Sequence, residues 1–209
     1  MQITIALAKG RLADKTFEIL KKCGINPEGI KEDSRKLIYY DTNNGIRFLM
    51  VKPTDVPTYV DHGVADLGVV GKDTLLEIGL PLYEMIDLKF GACKMCIAGY
   101  ENVKNNVTSS ILRVATKYPE TAKRYYEAKG KMIEVIKLNG SIELAPIIGL
   151  SDVIMDLVES GRTLKENGLV VLEEVCDISA RLTVNRVSLK TKADVITPLL
   201  SKIRENIGG

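Results

Sequence analysis

The sequence predicts an α/β protein folded as two lobes. Three observations carry the prediction. Short β-rich runs alternate with amphipathic helical stretches along the whole chain. Two of the runs end in glycine, at Gly10 and Gly71, as strands do when they open toward a ligand. Two strand-rich stretches, residues 83–99 and 169–187, are long enough to carry the chain out to a second lobe and back. A chain of 209 residues can build one large core or two small ones.

The elements follow in order. ITIALA at 3–8 is a β-rich run, followed at once by Lys9-Gly10-Arg11. Asp14 to Cys23 places Phe17, Ile19, Leu20 and Cys23 at mostly helical spacing, and Gly24 supplies a stop. LIYYDT at 37–42 and IRFLMV at 46–51 flank Asn43-Asn44-Gly45, a strong hairpin signal. Pro53 to His62 fits a short helix that Gly63 can cap. DLGVVG at 66–71 is a strand, and Lys72 to Ile78 a short helix closed by Gly79. LYEMIDLKF and ACKMCIAGY are longer strands on either side of Gly91. ILRVAT at 111–116 is a strand, Tyr118 to Lys129 a helix with Pro119 in its first turn, and MIEVIKL at 132–138 a strand. Gly149 to Val158 reads as a helix, and residues 170–189 hold one or two strands. Thr191 to Ile207 is an amphipathic helix with Ile196, Leu199, Leu200 and Ile203 on one face, and Pro198 kinks it or marks a late start. Lobe I is expected at 1–90 plus 179–209 and lobe II at 91–178, with a cleft between them.

Bulk properties narrow the function. Hydrophobic residues make up 45% and charged residues 27%, the balance of a globular protein in water. A net charge of +2 gives no electrostatic case for nucleic acid. The N-terminus turns polar too soon for a secretory signal, and no apolar run approaches the ~20 residues that span a bilayer. A cytoplasmic protein without a membrane partner is expected. Four cysteines are too sparse for a disulfide scaffold. Cys93 and Cys96 have C-x-x-C spacing, but they sit in a strand-like run. There, residues three apart face opposite sides with Cα atoms ~10 Å apart, beyond the ~7 Å reach of a disulfide. Structural thiols are expected.

Chemistry concentrates in two places. At 156–164 an acid-bearing apolar run leads into Glu159-Ser160-Gly161-Arg162-Thr163-Leu164. Such a turn offers clustered backbone N–H groups, two hydroxyls and a guanidinium, and Gly161 lets the backbone come close to a ligand. These donors suit phosphate oxygens. Asp156 just upstream can accept hydrogen bonds from sugar hydroxyls, so the pair fits a phosphorylated ribose. The second place is Lys9-Gly10-Arg11, where two cations follow the first strand directly. No P-loop, G-x-G-x-x-G or G-x-S-x-G motif is present, and no metal cage is spelled out. The single histidine, His62, sits at an expected helix end. The chain reads as built to bind phosphates and orient reactants, not to form a covalent intermediate.

These pieces together resemble the short form of the ATP phosphoribosyltransferase family. The matching segments are IALAKGRL at 5–12, VKPTDVPTYVDHGVADLGVVGKDTL at 51–75, LRVATKYPETAKRYY at 112–126, ELAPIIGLSDVIMDLVESGRTLKENGL at 143–169 and ISARLTVNRVSLK at 178–190. The resemblance implies transfer of phosphoribosyl from phosphoribosyl pyrophosphate to N1 of ATP, with Mg²⁺ and release of pyrophosphate, as the first step of histidine biosynthesis. It implies two α/β lobes around a cleft, like type II periplasmic binding proteins. It places the 5-phosphate on Ser160, Gly161, Arg162, Thr163 and Leu164, the ribose on Asp156, and catalytic roles on Lys9 and Arg11. Gly10, Lys52 and Glu143 join the substrate-binding set, and the metal ligands are left open. Lys52 stands where the family usually has arginine, which keeps charge but loses the bidentate fork. Ile147 replaces a residue that is often basic. The resemblance also implies a homodimer that joins a histidyl-tRNA-synthetase-like regulatory subunit in a hetero-octamer. Two other readings remain at this point: a phosphoribosyltransferase for another base, and a non-enzymatic bilobal binding module.

Overall fold

A computed structural model describes residues 2–29, 35–103 and 111–207. The chain divides into two compact units, Met1–Gly91 with Ser179–Gly209, and Ala92–Ile178. Each has its own sheet.

In the first unit, β1 (Ile3–Ala8) is buried at every position. It is therefore a central strand, flanked in parallel by β3 (Ile46–Val51) and β4 (Leu67–Gly71). β2 (Ile38–Asp41) pairs antiparallel with β3 across the expected Asn-Asn-Gly hairpin. Asp41 fixes that turn by accepting from the Asn44 amide at 3.0 Å and the Asn26 amide at 2.7 Å. With β5 (Tyr83–Asp87) and the returning β11 (Ala180–Val184), the order is β2-β3-β1-β4-β11-β5. α1 (Arg11–Lys22), α2 (Val56–Asp61) and α3 (Lys72–Ile78) each follow a parallel strand. Their N-termini therefore gather at the carboxyl edge of the sheet. Phe17 of α1 meets Phe48 of β3 edge to face, with ring centroids 5.5 Å apart.

The second unit has the order β10-β6-β9-β7-β8. β7 (Leu112–Thr116), β8 (Ile133–Lys137) and β9 (Val153–Val158) are parallel, and β6 (Cys93–Gly99) runs antiparallel to β9. β10 (Val170–Ile178) pairs with β6 and leads back to the first unit. α4 (Pro119–Ala128) follows β7. Two short helices, α5 (Leu144–Ile147) and α6 (Arg162–Glu166), flank β9 in sequence. Cys93 and Cys96 lie on β6, Cys96 buried and Cys93 less so, and none of the four cysteines is in a disulfide.

The expected helix at 149–158 is wrong: residues 153–158 are the central strand β9. A strand covered on both faces has a nearly unbroken apolar run, so period cannot separate it from a short buried helix. Arg113 then claims the groups a helix would need. Its guanidinium donates to Asp152 Oδ1 at 2.7 Å and to the Gly149 carbonyl at 3.0 Å, holding 149–152 as a loop.

The chain closes with α7 (Arg186–Thr191) and α8 (Ala193–Glu205) in the first unit. Asn185 caps α7 by accepting from the Val187 and Ser188 amides, both at 2.9 Å. Pro198 lies inside α8, which continues past it, and Ile196, Leu199, Leu200 and Ile203 are buried as the periodicity predicts. Buried Asp66 fastens this segment to β1. It accepts from the Thr4 amide at 2.8 Å and Ser188 Oγ at 2.6 Å, and pairs with Lys192 at 2.8 Å. Among the described residues no helix is long and apolar enough to cross a membrane.

Candidate active site

In the second unit one cavity of about 230 Å³ opens beside the end of β9. Glu143, Asp156 and the run Glu159 to Leu164 line it, together with Ile154, Leu157 and Val158. Seven residues expected from sequence, Glu143, Asp156 and Ser160 to Leu164, are thus brought together around one cavity. The geometry is strand, tight turn, helix. Gly161 has φ +70° and supplies the left-handed residue from which α6 starts. The first amides of a helix have no intrahelical acceptor, and Arg162, Thr163 and Leu164, which open α6, line the cavity. Ser160 Oγ accepts from the Arg162 amide at 3.4 Å, which tightens the turn. Leu164 is buried and anchors α6 to the core.

Asp156 sits on β9, three residues before the turn. Its carboxyl is raised from its ordinary value, first by burial and then by the negative charge of Glu143. The Leu157 amide, donating at 2.8 Å, and the positive charge of Lys117 act in the other direction. Two carboxylates in one cavity that feel each other can accept hydroxyl protons or share a cation. The Arg162 guanidinium does not point back over the turn. Its Nε donates to Glu166 Oε1 at 2.7 Å along the exposed face of α6.

In the first unit the β1–β3 register ends at Ala8 and Val51, and the Lys9 amide donates to the Val51 carbonyl at 3.1 Å. Lys9 and Lys52 therefore leave neighbouring strands side by side. Gly10, with φ +94° and ψ −155°, is a conformation reserved for glycine, and it places Arg11 at the start of α1. Lys9, Gly10, Arg11 and Lys52 are all exposed along this edge. His62 is exposed at the end of α2 and is in neither group.

Two residues are given no role by sequence reasoning: Glu159, which lines the cavity, and Lys117, whose charge acts on Asp156. Glu159 reads only as the lead-in to the turn. The signal for Lys117 is the strand-ending Thr-Lys-Tyr-Pro at 116–119, whose meaning depends on which strand lies next to it. Among the described residues no group of three or more His, Cys, Asp or Glu is arranged to hold a metal ion by itself.

Known proteins match the chain at every level. The sequence profile of HisG: ATP phosphoribosyltransferase matches residues 52–205. ATP phosphoribosyltransferase of Caldanaerobacter subterraneus subsp. tengcongensis is 55% identical over 207 residues, covering 99% of this chain and 98% of that protein. The enzyme of that name from Lachnoclostridium phytofermentans is 56% identical over 206 residues, covering 97% and 96%. The ATP phosphoribosyl transferase (HisG:HisZ) complex from Thermotoga maritima contains a similar chain, with TM-score 0.86 and 40% identity over 99% of this chain and 98% of that one. The periplasmic aliphatic sulphonate binding protein SsuA from Escherichia coli shares the fold alone, with TM-score 0.59 and 15% identity over 98% of this chain and 72% of that one. The fold is thus the mixed α/β, two-sheet architecture of type II periplasmic binding proteins. On profile, sequence and structure together, this chain belongs to the ATP phosphoribosyltransferase family.

Proposed function

We propose that the protein transfers the phosphoribosyl group of phosphoribosyl pyrophosphate to N1 of ATP, releasing pyrophosphate, as the first step of histidine biosynthesis. The observation that carries the assignment of roles is the cavity formed by Glu143, Asp156 and the Gly161 turn. A phosphate-sized donor turn next to a pair of carboxylates matches a sugar phosphate, with the 5-phosphate on Ser160 to Leu164 and the ribose hydroxyls on Asp156.

The chemistry needs little else. The adenine N1 lone pair attacks C1 of the ribose. The bond from C1 to the pyrophosphate oxygen breaks, and its electron pair leaves with pyrophosphate. No protein nucleophile is required, which agrees with the exposed His62 outside both groups. Catalysis is then alignment plus electrostatic stabilisation. Lys9 and Arg11, with Lys52 beside Lys9, supply positive charge for phosphate oxygens. The donor set also fits Mg²⁺, because this ion is often held by one or two carboxylates plus substrate phosphates. Asp156 and Glu143 would hold it, and it would offset the charge of the departing pyrophosphate. Direct displacement inverts C1.

We further propose that the chain acts in the cytoplasm as a homodimer. It would assemble with a histidyl-tRNA-synthetase-like regulatory subunit into a hetero-octamer, the HisZ of the Thermotoga maritima complex being a partner of this kind. The deciding experiment incubates the purified chain, with and without that subunit, with ATP, phosphoribosyl pyrophosphate and Mg²⁺. Pyrophosphate and phosphoribosyl-ATP are expected by mass spectrometry, and chelation of the metal should stop both. Turnover with another base but not with ATP would replace this reading.

A further inference from the structure

We propose that Lys117 is a further substrate-binding residue, the cation in the second unit that receives the pyrophosphate of phosphoribosyl pyrophosphate. The inference rests on the reading that the Gly161 cavity holds this substrate. That cavity is lined by three carboxylates, Glu143, Asp156 and Glu159, and by one guanidinium, Arg162. Arg162 is drawn along α6 by Glu166. A substrate with several negative charges would therefore meet mainly negative side chains. Metal charge and the Lys9, Arg11 and Lys52 edge of the first unit would offset part of this, and a cation of the second unit beside the cavity would offset more.

The strand register supplies one. Thr116, the last residue of β7, pairs with Met155 of β9. Lys117 is the next residue along, at the level of Asp156, and neighbouring strands lie about 4.8 Å apart. The backbone at this point is held firmly. Thr116 is fully buried, its Oγ1 donates to the Met155 carbonyl at 2.7 Å, and it accepts from the Tyr118 amide at 2.9 Å. Tyr118 is itself buried. Lys117 is thus an exposed lysine between two anchored residues. Its positive charge acts on the Asp156 carboxyl.

Level along the strand separates its role from that of the turn. Residues 160–164 lie beyond Val158, the last residue of β9, whereas Lys117 is level with Asp156 inside the strand. With the 5-phosphate at the turn and the ribose at Asp156, Lys117 stands level with the ribose, from which the pyrophosphate on C1 projects. An ammonium on a flexible stem suits a leaving group that moves as its bond breaks.

The test uses the intact chain with its regulatory subunit. Wild type must first release pyrophosphate from ATP and phosphoribosyl pyrophosphate; if it does not, both this proposal and the reading beneath it fall. Lys117→Met is expected to lower kcat/KM for phosphoribosyl pyrophosphate by about 10- to 100-fold, the size of a lost charge-assisted contact. It should weaken inhibition by inorganic pyrophosphate by a similar factor while leaving ribose 5-phosphate affinity unchanged. Lys117→Arg should recover much of the loss. If Lys117→Met keeps wild-type kinetics and pyrophosphate inhibition, Lys117 has no such role and the cavity assignment stands. If ribose 5-phosphate binding falls in parallel with pyrophosphate binding, the residue shapes the pocket instead and the proposal is overturned.

Discussion

Replacing Gly161 by alanine tests the phosphate turn against a matched control. At φ +70° an added Cβ meets only Val158 Cγ1, at 3.8 Å, an ordinary contact. The structural penalty is therefore conformational, about 1–2 kcal/mol for a left-handed residue with a side chain. Gly130 follows the end of α4 at φ +66°; an added Cβ there meets nothing within 4 Å, and the residue is outside the cavity lining. Gly130→Ala should thus carry the same strain without touching the site. For a chain of this size, that strain corresponds to a fall in Tm of about 2–8 °C in both variants. Only Gly161→Ala should also lose phosphoribosyl pyrophosphate. A methyl on this turn, or a shift of its backbone to relieve the strain, disturbs amides that would meet phosphate. The loss of one or two such contacts is worth about 10- to 100-fold in affinity. Differential scanning calorimetry and isothermal titration with ribose 5-phosphate give both readouts. If Gly161→Ala binds the sugar phosphate as wild type does, the turn is not the 5-phosphate site. If neither variant loses stability, the left-handed strain argument is wrong.

Asp156→Asn should abolish most turnover yet leave the fold as stable or more stable near neutral pH. Its raised carboxyl means that the ionised form is disfavoured by the fold, so this stability deficit is present above the folded titration and disappears below the unfolded one. Melting curves of the variant and wild type should therefore converge as pH falls through the carboxylate range. Asp87 runs the other way. Burial alone would raise its carboxyl, but the Lys89 amide, Ser179, the Lys89 ammonium and Arg181 together bring it to about 2. Its contribution is present above the unfolded carboxylate range and lost as pH falls from about 4 toward 2, so Asp87→Asn should narrow the acid dependence of Tm. Gly68→Ala should destabilise by roughly 1–3 kcal/mol in urea unfolding, because a Cβ there meets Val60 Cγ2 at 2.6 Å and Val56 Cγ1 at 2.7 Å. Arg11→Ala, on an exposed edge, should keep its Tm but lower kcat/KM by about tenfold or more; unchanged kinetics would remove Arg11 from the site.

Most of the fold is legible in the sequence because its signals are local. Glycines at 24, 63 and 79, the Asn-Asn-Gly turn and the spacing of Ile196, Leu199, Leu200 and Ile203 each depend on a few neighbouring residues. The candidate site is legible for a similar reason. Six of its residues, Asp156 and Ser160 to Leu164, lie within nine positions of sequence, and Lys9, Gly10 and Arg11 are contiguous. The C-x-x-C also reads as strand, since alternation alone puts its two thiols on opposite faces.

Sequence by itself determined the α/β class, the donor-rich turn and the family, because periodicity, glycine and motif spacing are properties of short runs. Tertiary structure alone decided that 153–158 is a central strand, that Glu143 joins Asp156 in one cavity, that Arg162 turns toward Glu166, and that Lys117 stands level with Asp156. Each of these depends on which strand or side chain is the neighbour in space. A nearly unbroken apolar run fits equally well as a short buried helix or a covered strand, and only packing against β6 and β7 selects between them.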